Sequence, residues 1–209
     1  MMNKIIILFL LLLSSTVVRA QKLFDVFTAI PDTMLSYLDA GLRSELAGDM
    51  RAKKTAVVVN SIGDTTRVVT YSSDYILLRC NKSRDMEIKL LPRKQEGDTI
   101  VCVVNTYKGP AEESTVDFYT LAWKPLLKEQ FVGSVSGMSL LQRPDTLSTD
   151  DFQDLCGMFD PLLVNIHLSP KEQSLTFSVS LPDVPSDKEK TLKGLISQRK
   201  FNWDGERFN

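Results

Sequence analysis

Over residues 54–123 the chain alternates between apolar and polar side chains with a period of two. The alternation is clearest where Glu87 separates Met86 from Ile88 and Lys89 follows. This period is typical of antiparallel strands that turn one face to a core and the other to water. The pattern predicts six strands, over residues 55–60, 66–71, 74–80, 85–91, 99–106 and 114–123.

An apolar stripe of helical period precedes these strands. It is formed by Met34, Leu35, Leu38, Leu42 and Leu46. Pro31 suits the first turn of a helix, and Gly48 suits the position after its last turn. The pattern therefore predicts a helix that begins at residues 31–33 and ends at Gly48.

The C-terminal part of the chain repeats this order. Residues 132–148 include several glycines and serines and are predicted to form a linker or a long loop. A helix is predicted next, capped by Ser148 or Thr149. Its apolar face consists of Phe152, Leu155, Cys156 and Phe159. Alternation then predicts strands over residues 162–168 and 175–181, and Asp204-Gly205 predicts a final hairpin.

Both halves of the chain place a helix before a set of antiparallel strands. The predicted fold class is α+β, with a predominantly antiparallel β-sheet and helices packed on one side. The repeated order favours two similar tandem helix-plus-sheet modules, residues 21–131 and residues 132–209. One continuous domain over residues 21–209 is the alternative, because a helix followed by a meander is common enough to occur twice by coincidence.

The N-terminal residues have the pattern of a secretory signal peptide. Lys4 precedes an unbroken apolar run over residues 5–13, and Val18 and Ala20 occupy the −3 and −1 positions of a small-residue cleavage site. Such a run reaches roughly 14 Å in a helix, about half the hydrocarbon thickness of a bilayer. We therefore expect residues 1–20 to be cleaved, leaving an exported and soluble chain without an integral membrane span.

The composition narrows the class of protein. Of the 209 residues, 43% are apolar and 24% are charged, and the formal net charge is −1. This balance excludes a disordered, collagen-like, coiled-coil or multi-span membrane protein. The basic residues are dispersed, so no nucleic-acid-binding stripe is predicted. The sequence has no Walker loop and no G-x-G-x-x-G motif, which disfavours nucleotide chemistry.

Few side chains suit catalysis. His167 is the only histidine, and no G-x-S-x-G nucleophile motif accompanies it, so we predict a half-exposed strand residue rather than a general base. Cys80, Cys102 and Cys156 allow at most one disulfide, and their positions on apolar faces favour buried thiols. Because the sequence has no C-x-x-C pair, it indicates neither a redox motif nor a zinc site.

The acidic clusters do not indicate a metal site. Neither Glu112-Glu113 nor Asp150-Asp151 has the alternating spacing of a calcium loop, and the second pair suits a helix N-terminus. We assign no catalytic, cofactor-binding or metal-ligating residue and expect no cofactor. Three aromatic residues near the C-terminus are expected to pack the last hairpin onto the core: Phe201, Trp203 and Phe208.

Three segments carry a family resemblance: FTAIPDTMLSYLDAGLR at 27–43, MEIKLLPRKQEGDTIVCVVNTYKGPAEESTVDFYTLAWKPL at 86–126 and KFNWDGERFN at 200–209. Together they resemble an uncharacterised family of exported proteins from Bacteroidetes-type bacteria, a domain of unknown function. The resemblance implies the periplasm or cell envelope of a Gram-negative bacterium and implies no activity, ligand or site residue. Such bacteria O-glycosylate exported proteins at sequons similar to the Asp-Thr tripeptides found here, which makes Thr65 and Thr146 candidate acceptors.

These observations favour a non-enzymatic envelope protein that binds a macromolecular partner, such as another exported protein, through a sheet face or a loop. The first alternative is a secreted hydrolase with carboxylate or Cys/His chemistry. A deep cleft with His167 within hydrogen-bond reach of a cysteine or a carboxylate would favour it. The second alternative is a small-ligand carrier, which a large enclosed cavity would favour. The sequence predicts neither the ligand nor the oligomeric state.

Overall fold

A computed structural model describes residues 22–95, 97–181 and 183–209. Its helices are residues 22–28 (α1), Ala40–Arg51 (α2), Thr149–Gly157 (α3) and Ser186–Leu195 (α4). Its strands are Val57–Val59 (β1), Thr65–Tyr71 (β2), Tyr75–Asn81 (β3), Arg84–Pro92 (β4), Thr99–Tyr107 (β5), Glu113–Thr120 (β6), Pro125–Leu126 (β7), Val164–Leu168 (β8), Ser174–Val179 (β9) and Arg199–Asn202 (β10). Short 3-10 helices lie at Lys128–Gln130 and Gly137–Leu140.

The strands form two antiparallel sheets. In the larger sheet each strand pairs with the next along the chain, in the order β1 to β7. The β1–β2 hairpin turns at Gly63, whose φ of 77° lies in the left-handed region that glycine adopts without steric strain. The smaller sheet has three strands in the order β10-β9-β8.

Helices α1 and α2 cover one face of the seven-stranded sheet. Their apolar side chains share a buried cluster with strands β3 to β5, which includes Phe27, Leu46, Met50, Ile76, Ile88 and Val103. Trp123 belongs to the same cluster, and its Nε1 donates a hydrogen bond to the carbonyl of Val26 at 3.0 Å. We refer to this side of the seven-stranded sheet as the helix side.

The three-stranded sheet covers the opposite face, which we call the sheet side. Strand β8 contacts β4, β5 and β6, and helix α4 contributes to the same buried cluster. This cluster includes Cys102, Val104, Phe118, Ile166, Leu175, Phe177 and Leu192. The seven-stranded sheet is therefore the central layer between helices and a smaller sheet. The predicted α+β class with predominantly antiparallel sheet is confirmed.

The predicted boundaries of the first long helix are wrong. Helix α2 begins directly after Asp39, whose side chain accepts a hydrogen bond from the N–H of Leu42 at 2.9 Å, and it continues past Gly48. Residues 31–38 form turns instead, although Leu35 is fully buried. The apolar spacing identified buried positions, but a helix and a succession of turns can bury the same residues.

The later helices differ in how well the sequence indicates them. Helix α3 is confirmed, and its cap is Ser148, whose Oγ accepts from the N–H of Asp151 at 3.1 Å. The pattern predicts no helix at α4, because only Leu192 and Leu195 are buried there. Two apolar positions are too few to show a helical period.

All eight strands that the alternation predicts are present, with ends shifted by a few residues. The largest shift is in the predicted strand 114–123, where β6 ends at Thr120 and Trp123 adopts a left-handed φ of 59° before β7. The predicted final hairpin is also present, since Trp203 and Phe208 form an antiparallel bridge.

Within the described ranges no helix is both long and apolar enough to cross a membrane. The predicted leader, residues 1–20, lies outside those ranges. The division into modules 21–131 and 132–209 stays a prediction. The second buried cluster contains residues from both proposed modules, among them Phe118 and Phe177.

Candidate functional site

The sheet side contains buried charged residues that the sequence pattern assigns to water. Glu87 and Lys89 on β4 are only 4% and 1% exposed, because the three-stranded sheet covers them. The alternation along β4 correctly separates them from Met86 and Ile88, which face the helices. However, alternation shows only which residues share a face, and it does not show whether a second layer covers that face.

The carboxylate of Glu87 connects the two sheets. Its Oε2 accepts hydrogen bonds from the hydroxyl of Tyr75 and from the backbone N–H of Leu168, both at 2.9 Å. Its Oε1 lies 2.9 Å from Nδ1 of His167. Tyr75 belongs to β3 of the large sheet, whereas Leu168 and His167 belong to β8. Three partners therefore satisfy this buried carboxylate, as a buried charge requires.

His167 occupies the half-exposed strand position that the sequence predicts, with 57% of its side chain exposed. Its hydrogen bond to Glu87 raises the pKa of the imidazole above the ordinary value of 6.5, although partial burial opposes this change. The ring borders a cavity of about 320 Å³, whose wall also includes Leu77, Thr106 and Glu112. The site thus has an acid–base group with a carboxylate that orients it.

A nucleophile for hydrolysis is not evident in this cavity. The residues that line it include no cysteine or serine. Thr106 is the one aliphatic hydroxyl among these lining residues, and its Oγ1 already shares a hydrogen bond with Oγ of Ser114 at 2.9 Å. The structure therefore brings His167 to a carboxylate, as the hydrolase alternative requires, but it does not bring His167 to any of the three cysteines.

The cysteines are free and mostly buried. Cys80 lies on the helix side and Cys102 on the sheet side, while Cys156 in α3 is partly buried. Burial raises the pKa of Cys80 to about 11 and raises that of Cys102 well above its ordinary value. Since the thiolate is the reactive form, neither buried thiol is suited to act as a nucleophile.

Lys89 is the second charged residue under the small sheet. Its Nζ lies 3.3 Å from Oδ2 of Asp74 and 5.5 Å from the centre of the Tyr75 ring. Burial lowers the pKa of Lys89, and the nearby Asp74 carboxylate offsets part of this change. A cavity of about 490 Å³ borders Asp74 and is lined by other charged residues, including Lys22 and Arg93. Most of its lining residues are polar or charged, whereas the small-ligand carrier is predicted to use an apolar sheet face.

One acidic cluster lies at a helix N-terminus, and the other takes part in a hydrogen bond between side chains. Asp150 and Asp151 lie in the first turn of α3, as expected from the helix dipole. Glu112 accepts a hydrogen bond from Nδ2 of Asn165 at 2.8 Å. No group of three or more His, Cys, Asp or Glu side chains in the described part of the chain could hold a metal ion.

The C-terminal aromatic residues pack together, and the ring centres of Trp203 and Phe208 are 5.2 Å apart.

The outer edge of β1 is a second candidate site. Ala56 and Asn60 direct their backbone groups to β2: the Ala56 carbonyl accepts from Val68 at 3.0 Å, and the Asn60 N–H donates to Asp64 at 2.9 Å. In an antiparallel pair these directions alternate along the strand. The N–H and C=O groups of Val57 and Val59 therefore point away from the sheet. We call this row of backbone groups the β1 edge.

The side chains at the β1 edge are apolar and exposed. Val58 packs under the helices, whereas Val57 and Val59 face out on the sheet side, and Val59 is 68% exposed. Ile62 in the following turn is exposed as well. A cavity of about 410 Å³, lined by residues 53–56 and 68–71, continues the edge along β2. We call this cavity the edge groove.

Comparison with known proteins identifies the family and the fold. The model of a family described as "Protein of unknown function (DUF3256)" matches residues 15–208. The chain belongs to this family. A structure described as that of a domain of an uncharacterized protein from Porphyromonas gingivalis W83 is similar, with a TM-score of 0.74 over 90% of this chain and 98% of that chain. The two sequences are 23% identical, so this likeness shows the fold alone. No curated protein matches the chain significantly.

Membership of DUF3256 confirms the predicted resemblance to a family of unknown function. The family description gives no ligand or reaction that could be compared with the two candidate sites. The candidate glycosylation residues of this DUF3256 protein, Thr65 and Thr146, are both exposed, and Thr65 begins strand β2 next to the β1 edge. Their glycosylation stays a prediction, which the intact mass of the native protein would test.

Proposed function

We propose that this DUF3256 protein is an exported, non-enzymatic binding protein that holds an extended segment of another envelope protein at the β1 edge. The observation that supports the proposal is the pair Val57 and Val59, whose backbone groups point away from β2 and whose side chains are exposed. In strand addition, main-chain hydrogen bonds to an open edge supply affinity, and the alternate side chains supply specificity.

Strand β1 is short, but none of its three residues is a proline or carries a charge. Natural proteins block the open edges of sheets with proline, charged side chains or a covering segment. The opposite edge of the same sheet has such protection, because β7 is only two residues long and begins with Pro125. Strand β1 instead presents three consecutive valines. The difference between the two edges favours a binding role for β1.

Substitution of Val59 with proline tests this role. Val59→Pro removes an outward N–H and leaves the hydrogen bonds to β2 in place, since proline is tolerated on an edge strand where its nitrogen faces solvent. Val59→Thr is the matched control, because it keeps both the N–H and the β-branched shape. Chemical crosslinking in the native host, followed by mass spectrometry, should recover the same partner with the wild type and Val59→Thr.

Val59→Pro should lose that partner while unfolding at a temperature close to that of the wild type. Reconstitution with the purified partner should reproduce the loss. Equal recovery of the partner by Val59→Pro, or no reproducible partner for the wild type, would contradict the proposed function.

Export is part of the same proposal and has its own test. The predicted cleavage site after Ala20 requires a mature chain that begins at Gln21. Peptide mass spectrometry of the periplasmic or envelope fraction should therefore identify an N-terminal peptide starting at Gln21. A full-length chain retained in the cytosol would contradict export.

A secreted hydrolase is the second candidate function, favoured by the 2.9 Å approach of His167 to Glu87 beside a cavity. In this role His167 would take a proton from an attacking water, and Glu87 would orient the imidazole. A general base contributes about 10²–10⁴-fold to a rate. His167→Gln should then reduce hydrolysis of ester, peptide or glycoside substrates by about 100-fold or more. Unchanged activity in the variant would exclude this mechanism.

A further inference from the structure

We propose that the segment bound at the β1 edge is an acidic strand, in which apolar side chains alternate with Asp or Glu. This inference rests on the proposed function, and it adds the chemistry of the partner. It combines three features of the edge: the spacing of its apolar side chains, the open groove beside it and the charge of the residues around it.

The apolar requirement follows from the geometry of β1. Val57 and Val59 project from the same face, about 7 Å apart, because alternate residues of a strand share a face. A bound strand that pairs with them would place its own alternate side chains beside theirs. Val69 on β2 is also exposed and lines the edge groove. Apolar residues at every second position of the partner would cover this exposed apolar surface.

The acidic requirement follows from the charges around the edge. Lys53 and Lys54 line the edge groove, at the end of the edge where β1 begins. Both side chains are exposed, and neither takes part in a salt bridge within the described ranges. The local charge is therefore positive, and carboxylates on the partner would complement it.

Two acidic residues lie along the hairpin and the end of α2. The Asp49 carbonyl accepts from the N–H of Lys54 at 2.9 Å, but the Asp49 carboxylate forms no salt bridge with Lys53 or Lys54 among the residues that the structure describes. Asp64 in the β1–β2 turn accepts hydrogen bonds from the backbone N–H groups of Thr65 at 2.7 Å and Lys82 at 3.2 Å. These bonds hold the pKa of Asp64 below its ordinary value and hold its carboxylate in the turn. A second copy of this chain would bring two more lysines to the same edge. Charge complementarity thus favours an acidic strand over self-association.

Two synthetic decapeptides test the proposal. In one peptide valine alternates with glutamate, and in the other valine alternates with lysine. Binding to the protein purified from its native host is measured by isothermal titration calorimetry at low and at high salt. The glutamate peptide should bind about tenfold more tightly than the lysine peptide, the effect expected for two exposed charge pairs. High salt should reduce this preference, because it screens exposed charges.

Variants separate the role of charge from that of the backbone. The double variant Lys53→Glu/Lys54→Glu should reverse the preference between the peptides, and Val59→Pro should abolish binding of both. Val59→Thr should bind like the wild type. Unfolding temperatures of all variants check that the fold is retained.

Each contrary result has a distinct meaning. If the lysine peptide binds as well as the glutamate peptide and both need the wild-type edge, the acidic partner is wrong but the proposed function survives. If neither peptide binds while a native partner is lost in Val59→Pro, the alternating chemistry is wrong. If sedimentation of the protein alone shows a dimer that Val59→Pro dissociates, the occupant is a second copy, and the proposal is overturned.

Discussion

Glu87 and Ile88 are neighbours on strand β4, yet they face different layers of the molecule. Ile88 points to the helix side, where the centre of the cluster consists of apolar side chains. Glu87 points to the sheet side, where it is equally hidden from solvent but makes polar contacts. The same strand therefore contributes apolar side chains to one interface, and to the other it contributes a carboxylate and a lysine that contact Tyr75.

The two outer layers differ in the share of polar contacts that position them. On the helix side the burial of apolar area, which is non-directional, dominates, and the hydrogen bond from Trp123 to α1 adds a directional contact. The hydrogen bonds from Tyr75, Leu168 and His167 to Glu87 have defined distances and directions. A shift of β8 by one residue would leave the carboxylate buried and unsatisfied. We infer that Glu87 sets the register between the two sheets.

Removal of the Glu87 carboxylate should have the largest effect on stability. Glu87→Ala leaves the buried Tyr75 hydroxyl and Leu168 N–H without an acceptor, which costs about 2–5 kcal/mol of unfolding free energy. Glu87→Gln should cost much less, because the amide oxygen can accept from both donors while its NH₂ group donates to neutral His167. Urea denaturation monitored by tryptophan fluorescence measures both changes.

Ile88→Ala is the matched control for the helix side. It should also destabilise the protein by about 2–5 kcal/mol, through loss of buried apolar contacts. The two alanine variants differ in which thiol they uncover: Glu87→Ala should accelerate alkylation of Cys102, and Ile88→Ala that of Cys80. Equal acceleration of both thiols in both variants would show that the two layers open together, and the comparison would fail.

Local patterns in the sequence predict the strands and their faces, but not the covering of those faces. The alternation at residues 85–91 separates Glu87 from Ile88 correctly, because side-chain direction depends only on position along the strand. The partner that buries Glu87 lies 80 residues later, at His167. No local pattern encodes such a pairing. Buried turns present the same difficulty, since Leu35 is buried without belonging to a helix.

The candidate binding edge was partly predictable. The run Val57–Val59 indicates a strand, but the sequence pattern favours binding through a sheet face or a loop and not at a sheet edge. Whether a strand lies at the edge depends on the pairing of all seven strands, which the sequence pattern does not specify. Lys53 and Lys54 are adjacent in the sequence, but the pattern does not show that they flank an open edge. That follows only from the pairing of β1 with β2 alone.

Lys89 provides a weaker test of the polar layer. Lys89→Met replaces a buried cation by an apolar chain of similar length, and the remaining Asp74 is partly exposed and keeps hydrogen bonds from Ser72 and Gln173. Since desolvation of the lysine opposes its ion pair, we expect a change of about 1 kcal/mol or less in unfolding free energy. A loss as large as that of Glu87→Ala would show that Lys89 also positions the small sheet.

The smallest effect concerns pH. The pKa of His167 is raised in the folded protein, so the stabilisation from the Glu87–His167 pair is fully present below about pH 6.5, the unfolded value, and is lost as pH rises through the folded pKa. Because the imidazole is largely exposed, this contribution should be below about 1 kcal/mol. The difference in unfolding free energy between wild type and His167→Gln should therefore be largest in mild acid and disappear at alkaline pH. Glu87→Gln should flatten the profile in the same way, since it removes the charge that raises the imidazole pKa. A difference that grows with pH would mean that His167 contacts the small-sheet interface as a neutral residue.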